Sequence, residues 1–160
     1  MKFAPASRSL LRKPESVTKY PQLKLENQIC FPLYACAKEI TRRYLPLLEP
    51  YNLTYTHYIV MMVLWEKESV TVSDLGKALS LDSGTLTPVL KKLEVNGYVI
   101  RTRAEDDERR VVVSPTETGW ELQDKLKDVP MELGSCVRLS TDEAKTLYSL
   151  LYKVMEGFDG

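Results

Sequence analysis

The sequence has few of the residues that build metal sites or a permanent disulfide framework. It contains one histidine, His57, and three cysteines, Cys30, Cys36 and Cys136, none of which share the C-x-x-C spacing. Zinc sites are usually built from such closely spaced cysteines and histidines. We therefore predict no metal site and no cofactor, and expect the thiols to be free or switchable in a reducing compartment.

Long apolar runs and an excess of one charge are also absent. The longest apolar run, Ile59 to Trp65, is far shorter than the ~18–20 residues that span a bilayer. The first twenty residues lack the apolar segment and cleavage site of a signal peptide, so we predict a cytoplasmic protein without membrane contact. Basic and acidic side chains number 22 each. Any nucleic-acid binding must therefore depend on how charge is distributed, not on its sum.

The two ends of the chain have different patterns. Residues 1–22 are rich in proline and lack periodicity, which predicts a flexible N-terminal arm. From Leu25, apolar residues at three- and four-residue steps predict a helix that ends near Pro50, with a kink or a late start at Pro32 beside Cys30. A second helix is predicted over residues 56–66. Near the other end, Ser140 and residue 143 form an S-x-x-E capping box for a last helix with an apolar stripe.

The middle of the chain predicts two short helices followed by a hairpin. Ser73 is the predicted cap of the first helix, and the second runs from Ser83 to Val95, with Pro88 near its first turns. Asn96-Gly97 supplies its C-cap. The alternating residues 98–103, the acidic turn 104–108 and residues 109–113 predict a two-stranded hairpin. A long helix follows from residue 116 to about 129, where a proline ends or kinks it.

The order helix, turn, helix, hairpin is typical of a winged helix-turn-helix that binds double-stranded DNA. Small hydroxyls early in the second helix can approach base edges, and lysines later in it can neutralise phosphates. Arginines of the hairpin can enter the minor groove; alternatively, they only pair with the acidic residues of the hairpin. The candidate DNA-binding residues are Ser83, Thr85, Thr87, Lys91, Lys92, Arg101, Arg103, Asp107 and Arg109.

One long run of sequence resembles the multiple-antibiotic-resistance regulator (MarR) family. It reads DLGKALSLDSGTLTPVLKKLEVNGYVIRTRAEDDERRVVVSPTETG, and its wing motif D-x-R is Asp107-Glu108-Arg109. The resemblance implies a mainly α fold with a small β-hairpin wing, in a six-helix homodimer that is not an enzyme. It implies a domain over 23–160, with dimerisation helices in 23–54 and 115–160 and a winged helix-turn-helix in 55–114. The second helix of the pair would enter the major groove and Arg109 the minor groove.

The first predicted helix resembles a thiol-sensing branch of that family, the organic hydroperoxide resistance regulators. The resemblance is carried by LENQICFPLYACAKEITRRYLPLL followed by NLTYTHY. It implies a repressor that leaves an inverted-repeat operator when organic hydroperoxide oxidises Cys30, with Tyr44 and Tyr55 contacting the sulfur. In the two-cysteine subtype, Cys136 of the other chain forms a disulfide with Cys30. Because Cys30 and Tyr44 are ~21 Å apart along one helix, such a site requires the partner chain's Tyr44.

Three other interpretations stay open at this point. The cysteines can be small buried hydrophobes, and the tyrosines can be interface packing. A regulator of the same fold can instead answer a small phenolic or apolar ligand in a cleft lined by Phe31, Met61, Met62 and Trp65. A thiol peroxidase would use Cys30 for turnover, although the sequence shows no recognisable peroxidase constellation.

Overall fold

The structure is a computed structural model, and it describes residues 19–104, 110–134 and 138–158. The chain divides into two compact units, residues 1–40 and 41–160, and the boundary falls inside the first α-helix. Three of the predicted functional residues, Asp107, Arg109 and Cys136, lie outside the described residues. Among the helices that are described, none is long and apolar enough to cross a membrane. The assignment of residues 23–54 and 115–160 to dimerisation, and of residues 55–114 to a winged helix-turn-helix, stays a prediction.

The first unit contains two 3₁₀ turns and the start of α1. The turns are Pro21–Leu23 and Leu25–Asn27, and the Asn27 side chain donates a hydrogen bond to the Pro21 carbonyl at 2.7 Å. The end of the predicted arm therefore already has local structure. Helix α1 spans Cys30–Leu48. Pro32 lies in its first turn, where the backbone N–H has no acceptor within the helix, so the predicted late start beside Cys30 is confirmed.

The second unit continues α1 and adds a 3₁₀ turn, Glu49–Tyr51, six α-helices and three strands within the described ranges. Their bounds are α2 Tyr55–Lys67, β1 Val70–Thr71, α3 Val72–Leu79, α4 Ser83–Val95, β2 Val99–Arg103, β3 Val111–Pro115, α5 Glu117–Leu126, α6 Val129–Gly134 and α7 Thr141–Glu156. The strands form an antiparallel sheet in the order β1-β3-β2. The predicted hairpin is confirmed. Strand β1 was not predicted, because two residues are too few to show an alternation of apolar and polar side chains.

A core of leucine, valine and methionine joins α2, α3, α4 and the sheet. Fully buried side chains come from every one of these elements; they include Met61, Leu64, Leu75, Leu86, Leu90, Leu93 and Val113. The three buried leucines of α4 recur at three- and four-residue steps, which is the spacing of one helical face. The core therefore fixes which face of α4 remains outside.

Two helix boundaries differ from their predictions. Helix α3 is capped by Thr71, whose hydroxyl accepts a hydrogen bond from Asp74 N at 3.1 Å, and the predicted cap Ser73 lies inside the helix. The predicted helix 116–129 ends at Leu126, and a separate helix α6 begins at Val129. Pro130 lies in the first turn of α6, where its fixed φ suits a helix start. The described residues thus form seven α-helices where six were predicted.

Helix α7 has the predicted capping box. The Ser140 hydroxyl accepts from Glu143 N at 3.3 Å, and the Glu143 carboxylate accepts from Ser140 N at 2.8 Å. None of the residues of α7 is buried. Its exposed apolar side chains are Leu147, Tyr148, Leu150, Leu151, Tyr152, Val154 and Met155.

Candidate functional site

Helix α4 presents a polar face opposite its buried leucines. Asp82 caps its first turn, and Gly97, with φ +78°, follows its C-terminal end, so the predicted bounds Ser83–Val95 are confirmed. At about 100° per residue, five predicted DNA-binding residues fall on two sides of the exposed face. One side carries Ser83, Thr87 and Lys91, and the other carries Thr85 and Lys92. All five are exposed.

Gly84 and Pro88 occupy the strip between these two sides, and Val95 lies in it at the C-terminal end of the helix. All three are exposed, and the first two leave the early part of the strip without a long side chain. Pro88 lies at the sixth helical position, beyond the first turn, so it removes one intrahelical hydrogen bond, to the Gly84 carbonyl. The strip lets the helix backbone come close to a facing surface.

Two of the candidate base-reading hydroxyls already donate hydrogen bonds within α4. Thr85 Oγ1 donates to Asp82 Oδ2 at 2.9 Å, and Thr87 Oγ1 donates to the Ser83 carbonyl at 2.6 Å. The bonds from Thr85 N and Oγ1 lower the pKa of Asp82. The threonines can therefore offer DNA their oxygen lone pairs and methyl groups, which suit amino donors and thymine methyls.

The base of the wing is tied to α4 by an ion pair. Arg101 Nε donates to Glu94 Oε2 at 3.0 Å, and its Nη2 contacts the same oxygen. The hydrogen bond from Arg101 lowers the pKa of Glu94, so the carboxylate stays charged. Arg101 thus has a partner inside the protein, and in this state it positions β2 against α4. Arg103, at the end of β2, is exposed.

A groove separates α3, α4 and the sheet. It is lined by three hydroxyl side chains and two guanidinium groups, those of Thr71, Ser73, Thr87, Arg101 and Arg110. Guanidinium and hydroxyl groups suit phosphate oxygens, although Thr71, Thr87 and Arg101 already donate hydrogen bonds to Asp74, Ser83 and Glu94. The sequence pattern predicted Ser73 only as a helix cap. Its place in the groove depends on the packing of α3 against the sheet, which the pattern does not contain.

The two tyrosines predicted to contact a sulfur lie against each other. The ring centroids of Tyr44 and Tyr55 are 4.7 Å apart, and Tyr58, which was not predicted as a site residue, lies 5.7 Å from Tyr44. Burial, together with Tyr55, raises the pKa of Tyr44, and burial raises the pKa of Tyr55. Both phenols therefore stay protonated and can donate hydrogen bonds.

The cysteines of the first unit are accessible. Cys30 is the first residue of α1, Cys36 follows in the same helix, and both are free and exposed. Within the single chain, neither of these two cysteines is a small buried hydrophobe. No group of three or more histidine, cysteine or acidic side chains in the described ranges could hold a metal ion.

Two of the residues assigned to a ligand cleft belong to the packed interior. Met61 is fully buried in the core, and Trp65 packs on Tyr58 and donates a hydrogen bond to the Gly119 carbonyl at 2.9 Å. Core packing therefore accounts for both side chains, and the ligand cleft stays an alternative interpretation. Phe31 and Met62 are exposed.

Known proteins resemble this chain over most of its length. A family model described as transcriptional regulator SarA/Rot matches residues 42–126. The organic hydroperoxide resistance transcriptional regulator of Bacillus subtilis (strain 168) is 46% identical over 138 residues, covering 86% of this chain and 94% of that protein. Reduced AbfR bound to DNA superposes with a TM-score of 0.72 at 32% identity, covering 87% of this chain and 97% of that one. A disulfide-formed AbfR superposes at 0.62 with 29% identity, over 87% and 95%.

Proposed function

The chain belongs to the MarR family of winged-helix transcriptional regulators, in the organic hydroperoxide resistance branch, and from this premise we propose that it is a thiol-switched repressor. It is a DNA-binding regulator and not an enzyme. In the proposal, the reduced homodimer binds an inverted-repeat operator and leaves it when an organic hydroperoxide oxidises Cys30. The observation that carries the proposal is the presence, in one chain, of an accessible Cys30 thiol and an exposed polar face on α4.

The chemistry of the switch starts at the Cys30 sulfur. Its thiolate attacks the terminal oxygen of the hydroperoxide, the O–O bond breaks, and the leaving alkoxide takes a proton to become an alcohol. Cys30 is then a sulfenic acid. The thiolate of Cys136 from the other subunit attacks that sulfur, the S–O bond breaks as the disulfide forms, and the leaving hydroxide takes a proton to become water. Tyr44 and Tyr55 would donate hydrogen bonds to the reacting sulfur, for which their protonated phenols are suited.

A homodimer is supported by the apolar side chains of α7. A helix with no buried residue and an apolar stripe does not contribute to the core of its own chain. A second copy would bury that stripe. Dimerisation would also bring Cys30 to Tyr44 of the other chain, as the spacing of the two residues in the sequence predicts.

DNA binding in the proposal depends on the spacing of two copies of α4. Each copy enters the major groove of one half-site, and half-sites one helical turn apart require the two helices ~34 Å apart. Lys91 and Lys92 neutralise phosphates, and the hydroxyl and arginine groove beside α4 holds the backbone. An intersubunit disulfide that changes this spacing releases the DNA.

The test uses a duplex selected by the reduced protein from a random pool. Fluorescence anisotropy follows binding before and after a small excess of cumene hydroperoxide. We expect release of the wild type and of Cys36→Ser, the matched control, and retention of DNA by Cys30→Ser. A non-reducing gel should show a reductant-sensitive band of twice the chain mass that Cys136→Ser lacks. Release of Cys30→Ser by hydroperoxide would contradict the thiol switch; a missing band would contradict only the disulfide.

A further inference from the structure

The loop between α1 and α2 holds the junction between α4 and the wing. Asn96 Nδ2 donates to the Asn52 carbonyl at 3.2 Å, and the Tyr98 hydroxyl donates to the Tyr51 carbonyl at 3.2 Å. Asn96 is the C-cap of α4 and Tyr98 directly precedes β2. Both side chains reach across the fold to two successive carbonyls of one loop. The loop therefore contacts the two elements that read DNA at the point where they join.

The same loop leads directly into the tyrosine pair. Tyr55, whose ring packs at a tilt against that of Tyr44, is the first residue of α2 and lies three residues after Asn52. Between them, Thr54 N donates to His57 Nδ1 at 3.0 Å, which fixes the start of α2. Three residues span at most ~11 Å even when extended. A displacement of Tyr55 is thus close to the carbonyls that hold Asn96 and Tyr98.

The loop is stiff, so it transmits a displacement instead of absorbing it. Leu53 is buried and its N–H donates to the Leu48 carbonyl at 3.2 Å. Asn52 has φ +55°, a left-handed conformation that asparagine tolerates and that leaves little freedom for adjustment. The two hydrogen bonds at 3.2 Å tie the carbonyls of this loop to Asn96 and Tyr98.

We propose that residues 51–54 couple the state of the Tyr44–Tyr55 pair to the placement of α4 and the wing, with Asn96 and Tyr98 as the positioning residues. The inference rests on the proposed function, because it assigns the route by which oxidation at Cys30 would lower DNA affinity. When Tyr55 changes its partner, the start of α2 shifts, the carbonyls of Tyr51 and Asn52 move, and the α4–β2 junction follows. Burial raises the pKa of Tyr98, so its phenol donates across the physiological pH range.

The test compares DNA affinity in the reduced and oxidised states for Tyr98→Phe, Asn96→Ala and the double variant. The full-length protein is used, with the selected duplex and cumene hydroperoxide. The ratio of oxidised to reduced Kd measures the coupling, which for coupled sites is typically about 5- to 150-fold. We expect each single variant to lower this ratio by about threefold or more, and the double variant to lower it further. The variants should consume hydroperoxide and lose free thiol as the wild type does.

Glu94→Gln is the matched control because it loosens the wing from α4 without touching the loop. It should weaken DNA binding in both states and leave the ratio near that of the wild type. If Asn96→Ala unfolds the end of α4, Tyr98→Phe decides alone, since it removes only one hydroxyl. A wild-type ratio in Tyr98→Phe, with thiol oxidation complete, overturns the coupling route. A wild type that hydroperoxide does not release overturns the proposed function instead.

Discussion

Replacing Gly119 by alanine tests whether α5 packs on the wing as closely as the structure has it. Gly119 lies in the first turn of α5. A Cβ there would overlap the carbonyl oxygen of Tyr98 and lie 3.1 Å from its carbonyl carbon and 3.3 Å from Pro115 Cβ. Its distance to the Tyr98 oxygen would fall about 1 Å short of the ~3.3 Å at which carbon and carbonyl oxygen normally meet. The obstacle is backbone, so no side chain can rotate away to relieve it.

The cost follows from two opposing effects. Overpacking against backbone costs about 3 kcal/mol, the upper end of the usual range. Alanine recovers up to about 1 kcal/mol because glycine is the poorer helix former. The free energy of unfolding should therefore fall by about 2 kcal/mol, which lowers Tm by about 4–8 °C for a chain of this length. The shift of α5 also strains the hydrogen bond from Trp65 to the Gly119 carbonyl.

Thermal melting followed by circular dichroism measures this at one fixed protomer concentration. Gly134→Ala is the matched control, because nothing lies within 4 Å of a Cβ at that helical position. Its Tm should stay level or rise. If Gly119→Ala melts as high as Gly134→Ala, the close approach of α5 to Tyr98 is refuted, and with it the packing that supports the wing.

Three further predictions concern charge, protonation and assembly. Lys92→Ala should weaken DNA binding and reduce the slope of log K against log salt concentration by about 1, whatever the duplex sequence; an unchanged slope would place Lys92 away from phosphates. Burial, then Lys92, lowers the pKa of His57, so folding favours the neutral ring. Stability should be complete above about pH 6.5 and fall as the pH drops towards the lowered pKa, and denaturant melts of His57→Gln should lack this step. Leu150→Asp should convert the dimer to protomers in size-exclusion chromatography, while Lys145→Asp, on the opposite face of α7, should not.

Residues close to one another in the sequence were enough to predict the bounds and the buried face of α4. The bounds of α4 follow from Asp82 before it and Asn96-Gly97 after it, and its buried face follows from the three- and four-residue spacing of leucines. The capping box at Ser140 is equally local. Such features involve residues within a few positions of one another, so the chain specifies them before any packing occurs.

The sequence pattern did not predict the break between α5 and α6, and the reason is physical. Lys127 and Asp128 are polar and suit an exposed helical turn as well as a connection between helices. Pro130 is compatible with the end of one helix or the first turn of the next. Packing decided between them, since both Leu126 and Val129 are buried on either side of the break.

The roles of the functional residues were decided only by tertiary structure. The sequence does not pair Arg101 with Glu94, and only the approach of β2 to α4 gives Arg101 this partner. Asn96 and Asn52 are 44 residues apart, and their hydrogen bond exists only because the loop before α2 packs on the end of α4. The sequence by itself determined that α4 carries a polar face and that Cys30 lies earlier in the chain, beside the start of the first helix. Which side chains hold α4 in place depended on long-range contacts, which no periodicity records.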